Sequence, residues 1–177
     1  DGGRGRMQMY IWTGPTPDRS GDLDREVVVH ELTHGLSNRL HANGSGLGSN
    51  MSGGLGEGWS DFFAKALFAT AAEPVNGVYA MGGYATDELS PGYENYYYGI
   101  RRFPMTIMSS VGSNSRPHNP LTFADIDQTL ADLTDGAYPA GTVGSTTRDQ
   151  VHEAGQIWAN MLWEVRARFI TRLGFTE

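Results

Sequence analysis

The chain has 177 residues, 39% of them hydrophobic and 19% charged, which is enough apolar material for one folded domain. Its net charge of −7 argues against a nucleic-acid partner, since phosphates call for a basic surface. The lack of cysteine excludes disulfides and thiolate metal ligands, and no apolar run approaches the roughly 20 residues that span a bilayer.

Met7 to Thr13 alternates Met7, Met9 and Ile11 with Gln8, Tyr10 and Trp12, the period of a strand. Gly14 to Asp18 reads as a turn, and Asp22 or Asp24 then caps a helix running from about Leu23 to Leu40. Within it lies Val27-Val28-Val29-His30-Glu31-Leu32-Thr33-His34-Gly35, which contains H-E-x-x-H. Four positions is one helical turn, so His30 and His34 share a face and can bind one metal ion. Glu31 adjoins that face, within reach of a water on the metal without being a ligand. Three fixed letters in five recur by chance, and the plain alternative is an amphipathic helix with two half-buried histidines.

His41 to Gly54 reads as a loop dense in Gly, Ser and Asn, with His41 exposed. A second helix is expected from Glu57 to about Ala72, with Trp59, Phe62, Phe63 and Phe68 as core. Gly53-Gly54-x-Gly56 lacks the strand and G-K-[ST] of a phosphate loop, so it reads as flexible packing against the metal site. A catalytic zinc site uses three protein ligands and leaves a fourth position for water. Glu57, 23 positions beyond His34, supplies the third ligand. Asp61, four residues on and hence on the same face, can orient a ligand imidazole from behind.

Residues 85–120 read as irregular, with Tyr93, Tyr96, Tyr97 and Tyr98 crowded ahead of Arg101-Arg102 and His118 in a turn. Leu121 to about Leu133 is expected as a short helix with a Thr122–Asp125 capping box, and Gly136 to Thr146 as a loop. A last helix is expected from about Thr147 to Leu173, with His152 in its first turn. The fold class is therefore mainly α with a short N-terminal β-strand.

H-E-L-T-H-G-L-S-N-R-L followed by G-E-G-W-S-D resembles the fungalysin metallopeptidases, relatives of thermolysin among the glutamate-zincins. Asp1-Gly2-Gly3 through Trp12, Asn119-Pro120-Leu121-Thr122-Phe123 and Val151-His152-Glu153-Ala154-Gly155-Gln156-Ile157-Trp158-Ala159 resemble the same family in order. The resemblance implies the zinc-helix region and helical lobe of a thermolysin-like catalytic domain, residues 1–177 being one domain of it. It implies that an N-terminal β-rich lobe, a propeptide and a C-terminal end lie outside these residues. It also implies one catalytic Zn²⁺, with Ca²⁺ as a further ion, and an extracellular enzyme made as a zymogen. The expected substrate is extended or unfolded polypeptide, bound against the Met7–Thr13 strand and cut before a bulky apolar residue. No nucleic-acid or membrane partner is implied.

By the same resemblance His152 matches the histidine that hydrogen-bonds the developing oxyanion, although its V-H-x-x-G spacing differs from thermolysin's by one residue. Its bland alternative is a buried histidine bonded to a backbone carbonyl. A tyrosine assisting the oxyanion is not selected among Tyr96, Tyr97 and Tyr98. The expected chemistry is a zinc-bound water attacking a peptide carbonyl, with Glu31 taking its proton. Two alternatives belong to other classes. One is an inactive, zinc-bound scaffold or binding module, and the other is an aminopeptidase, which would want an acidic cluster for the substrate amine.

Overall fold

A computed structural model describes residues 6–112, 115, 117–126 and 150–175. Among these residues the fold is mostly helical, with a short antiparallel pair near the N-terminus. The pair is β1 (Ile11–Trp12) with β2 (Arg19–Ser20), in the register Ile11↔Ser20 and Trp12↔Arg19. The expected strand over Met7–Thr13 thus shrinks to two residues. A strand persists only where a partner completes its ladder, and β2 is two residues long. Met7, Tyr10 and Ile11 are exposed, and it is Trp12, read as the opposite face from Ile11, that packs against the core.

Helix α1 (Arg25–Leu40) is capped by Asp24, whose Oδ1 accepts from the N–H groups of Glu26 at 3.0 Å and Val27 at 3.4 Å. The second oxygen of Asp24 accepts from Ala85 N at 3.0 Å, which ties the helix start to a distant loop. Asp22 instead lies in a 3₁₀ turn (Gly21–Leu23), where Ser20 donates to it. At the far end His41 is exposed, and its Nδ1 lies 2.7 Å from Ser37 O.

Helix α2 spans Asn50–Ala66, so it begins two turns before the expected Glu57 and ends short of Ala72. Ser49 and Ser52 close a reciprocal box at its start, each side chain accepting the other's backbone N–H, at 3.0 and 3.3 Å. The glycines that read as loop are instead its packing face. A Cβ on Gly58 would lie 2.6 Å from Gly155 O, and one on Gly155 would lie 2.6 Å from the Cβ of Glu57. Glycine at these positions lets α2 and α3 (Val151–Leu173) approach backbone to backbone. Further corrections concern the aromatics of α2. Phe63 is exposed, and Trp59, Phe62 and Phe68 are half-buried, because the buried face carries Gly54, Gly56, Glu57, Gly58, Ser60, Asp61 and Ala64.

The stretch 79–106 has little regular structure, so its backbone must find partners elsewhere. Tyr79 and Met105 exchange backbone bonds at 3.0 and 2.8 Å, and Ile100 N donates to Met81 O at 2.8 Å. α3 satisfies more of it from one face, where Gln156 accepts from Phe103 N and Asn160 from Thr106 N, at 3.0 and 2.9 Å. Trp163, 1% exposed, anchors the apolar side of this contact against Phe62 and Tyr79.

In the described part of the expected third helix, residues 121–126, the turn Phe123–Asp125 forms, with Asp125 Oδ2 accepting from Thr122 N at 2.7 Å. The remainder of that segment beyond Ile126, the Gly136–Thr146 loop and Thr147 lie outside the described residues. α3 starts at Val151, capped by Gln150, whose Oε1 accepts from His152 N at 2.8 Å. No helix among the described residues is long and apolar enough to cross a membrane.

Candidate metal centre

α1 and α2 turn their polar faces toward each other, and the ligand-type side chains meet between them. The Nε2 atoms of His30 and His34 are 3.0 Å apart. Glu57 Oε2 lies 3.3 Å from the first and its Oε1 lies 3.3 Å from the second. A tetrahedral ion at the ~2.1 Å bond length of zinc to nitrogen or oxygen needs donors separated by ~3.4 Å. The three separations lie near that spacing, with His30 and His34 each facing a different oxygen of Glu57, so these residues can gather around one small cation. His30 and Glu57 are buried and His34 is half-buried.

Asp61, 2% exposed, sits behind the site with Oδ1 2.8 Å from His30 Nδ1. The contact is short but poorly directed for a hydrogen bond, and it still leaves Nε2 turned to the centre. Arg101 was not singled out from the sequence. Its guanidinium grips Asp61 through Nε at 2.7 Å and Nη2 at 2.9 Å, and Nη2 also reaches Glu57 Oε2 at 3.2 Å. The only hint was an Arg-Arg pair ahead of Phe103-Pro104, and nothing local links it to a helix 40 positions earlier. Arg102 instead lies 3.6 Å from Glu153 Oε2, with Gln156 donating to the same oxygen at 2.8 Å.

His152 enters from the first turn of α3, half-exposed, with Nε2 3.4 Å from Glu57 Oε1. Gln150 Nε2 lies 2.7 Å from its Nδ1. Gln150 Oε1 accepts from His152 N and also lies 3.1 Å from that Nδ1, so the amide holds the ring from its Nδ1 side and leaves Nε2 facing Glu57. Glu31 is exposed and lines two cavities. One, of about 610 Å³, is bordered by Met7, His34, Leu36 and Arg39, and the other, of about 260 Å³, by Met9 to Trp12 and Val27. Tyr96 is exposed, Tyr97 bonds His118 Nδ1 at 2.7 Å, and Tyr98 is buried.

Burial by itself would lower the pKa of His30, but the carboxylates of Asp61 and Glu57 outweigh it and push it from 6.5 up to about 9. Burial likewise opposes ionisation of Asp61, yet Arg101 and His30 hold it at about 2. Glu57 is driven well below the carboxylate range against its own burial by His30, His34 and Arg101. Burial lowers the pKa of His152, which favours the neutral ring.

These shifts give a pH dependence. The His30 contribution to stability is fully present below pH 6.5 and is lost as pH rises through about 9. The Asp61 contribution is present above 3.8 and is lost as pH falls toward about 2. Urea midpoints of metal-free protein should therefore fall on both sides of a neutral plateau, by of order 3 kcal/mol on the alkaline side. Saturating zinc should remove the alkaline fall, because a ligand histidine is neutral. A midpoint that rises between pH 7 and 9.5 without metal would contradict this account.

Two histidines a turn apart, a carboxylate from a neighbouring helix and a carboxylate behind one ring form, among the described residues, one His-His-Glu group that could hold a metal ion. The chain belongs to the fungalysin metallopeptidase (M36) family, whose model matches residues 1–177. Membership in a metallopeptidase family implies a bound metal. The extracellular metalloproteinase mep of Aspergillus fumigatus is 37% identical over 98% of this chain and 23% of its own length. Extracellular metalloproteinase 2 of Trichophyton rubrum is 36% identical over 100% of the chain and 23% of its own. The mep protein of Aspergillus flavus is 36% identical over 98% and 22%. The chain thus spans less than a quarter of the length of the relatives it matches.

Proposed function

We propose that this protein carries the metal centre of a zinc-dependent endopeptidase acting on extended polypeptide. The observation behind the reading is the convergence of His30, His34 and Glu57, whose ligand atoms lie within 4.8 Å of one another, with Glu31 exposed beside them. His30, His34 and Glu57 would hold the zinc, which would supply Lewis acidity to the attack of water on the peptide carbonyl. The carboxylate of Glu31 takes the proton of the attacking water and returns it to the leaving amine. His152 donates from Nε2–H to the carbonyl oxygen as negative charge builds, a type of contribution worth about 3–4 kcal/mol. Gln150 holds the ring of His152 from its Nδ1 side, and Asp61 lies against Nδ1 of His30. Arg101 neutralises Asp61 and half-shares Glu57, so the buried carboxylates do not cancel the charge of the metal.

The smaller cavity beside Glu31 has walls of Met9, Tyr10, Ile11, Trp12 and Val27, which suits a bulky apolar side chain next to the scissile bond. The relatives carry the word extracellular in their names, and secretion is proposed on that ground. Casein hydrolysis with zinc analysis tests the whole reading. The protein should hold about one zinc, lose hydrolysis on chelation and regain it with zinc added back. Full zinc occupancy without hydrolysis would favour a binding module, and failure to bind zinc would remove the metal centre.

A further inference from the structure

Beside the 3.3 Å contact of His30 with Glu57, the facing sides of α1 and α2 carry three polar contacts in a row. His34 meets Glu57 at 3.3 Å, His30 meets Asp61 at 2.8 Å, and Glu26 meets Lys65 at 2.5 Å. Each step of four along α1 is answered by a step of four back along α2. The three rungs therefore share one antiparallel register, spaced about 6 Å along the helix. Lys65 is the only lysine in the chain, beside twelve arginines. Both members of its rung are largely covered, with side chains 18% and 13% exposed. The other oxygen of Glu26 accepts from Gly82 N at 2.9 Å. Gly82 follows Met81, whose carbonyl receives Ile100 N, and Arg101 comes next in the chain. Glu26 thus touches all three segments that supply the centre: α1 with the histidines, α2 with Glu57 and Asp61, and the stretch that carries Arg101.

We propose that Glu26 and Lys65 are positioning residues which lock the register of α1 against α2 and so preorganise the metal donors. The proposal rests on the metal reading of His30, His34 and Glu57. A slip of one residue between the helices moves Glu57 by about 1.5 Å along the axis. Metal–ligand distances tolerate only about 0.2 Å. The two rungs at the centre cannot set the register independently, because they include the groups that metal binding rearranges. The Glu26–Lys65 rung touches none of the three donor side chains, its partners being each other and Gly82 N. It therefore holds the donors in place before binding, and less ordering remains to be done when the ion arrives.

A lysine in the last turn of α2 also favours the helix dipole without any partner. The test separates that effect from a register lock. Zinc affinity by chelator competition, the visible spectrum of the Co²⁺-substituted protein and the melting temperature of the metal-free form are measured for Lys65→Met, Glu26→Gln, both together, and Lys65→Arg. Glu26→Gln keeps an acceptor for Gly82 and leaves Lys65 at the helix end, so a dipole effect alone predicts no change. The lock predicts that each single variant loses about 10–100-fold in zinc affinity, as outer residues of metal sites commonly do. It also predicts an altered Co²⁺ spectrum, a double variant no weaker than the singles, and recovery with Lys65→Arg. Zinc affinities within about threefold of the parent in both single variants would overturn it, whatever their melting temperatures. A parent that binds no zinc would overturn the metal reading itself, and the lock with it.

Discussion

Glu31→Gln should leave zinc content unchanged and lower casein hydrolysis by about 10²–10⁴-fold, the span that a positioned acid–base group contributes. Glu31 is not one of the three donor side chains, and it is exposed where His30 and Glu57 are buried. Glutamine has the same shape, so the cavities on either side of it keep their walls. What it lacks is a basic oxygen to accept a proton. Metal analysis and turnover on the same preparations check this. Hydrolysis within about tenfold of the parent would mean that another group takes the proton, and the proposed mechanism would fail.

Arg101→Met should destabilise the protein by about 3–5 kcal/mol, the usual cost of removing one partner from a buried ion pair. Three hydrogen bonds join its guanidinium to Asp61 and Glu57, and all three residues are buried. Methionine fills similar space, but it leaves two carboxylates with no guanidinium between them. Lysine should not rescue, because one ammonium cannot reproduce the two-point grip on Asp61. The double variant Arg101→Met with Asp61→Asn should recover part of the loss by removing the stranded charge. Urea denaturation of the metal-free proteins measures the cycle. A single variant as stable as the parent would show that the guanidinium is not what balances these carboxylates.

The two predictions draw on different levels of information. The pairing of His30 with His34, and of Glu57 with Asp61, is a property of helical periodicity, since residues four apart share a face whatever surrounds them. Asp24 as a cap and His152 in the first turn of its helix were legible for the same local reason. The start of α2 was not. Gly53 and Gly54 read as loop until α3 is seen lying against them, where a Cβ would come within 2.8 Å of Val151 and Ala154. The aromatics of that helix were misjudged because the buried face was assumed to be the apolar one. Here it is the face that carries Glu57 and Asp61.

By itself, then, the sequence determined which side chains can act as donors and which helical faces they occupy, because those relations span a single turn. Only the tertiary structure decided that Arg101 closes the charge balance and that Glu26 meets Lys65. It also decided that β1 stops after two residues. Each of these depends on a partner outside the local segment, 40 positions away for Arg101 and 39 for Lys65. Long-range pairing is set by how whole helices pack, and no spacing rule within one segment encodes it.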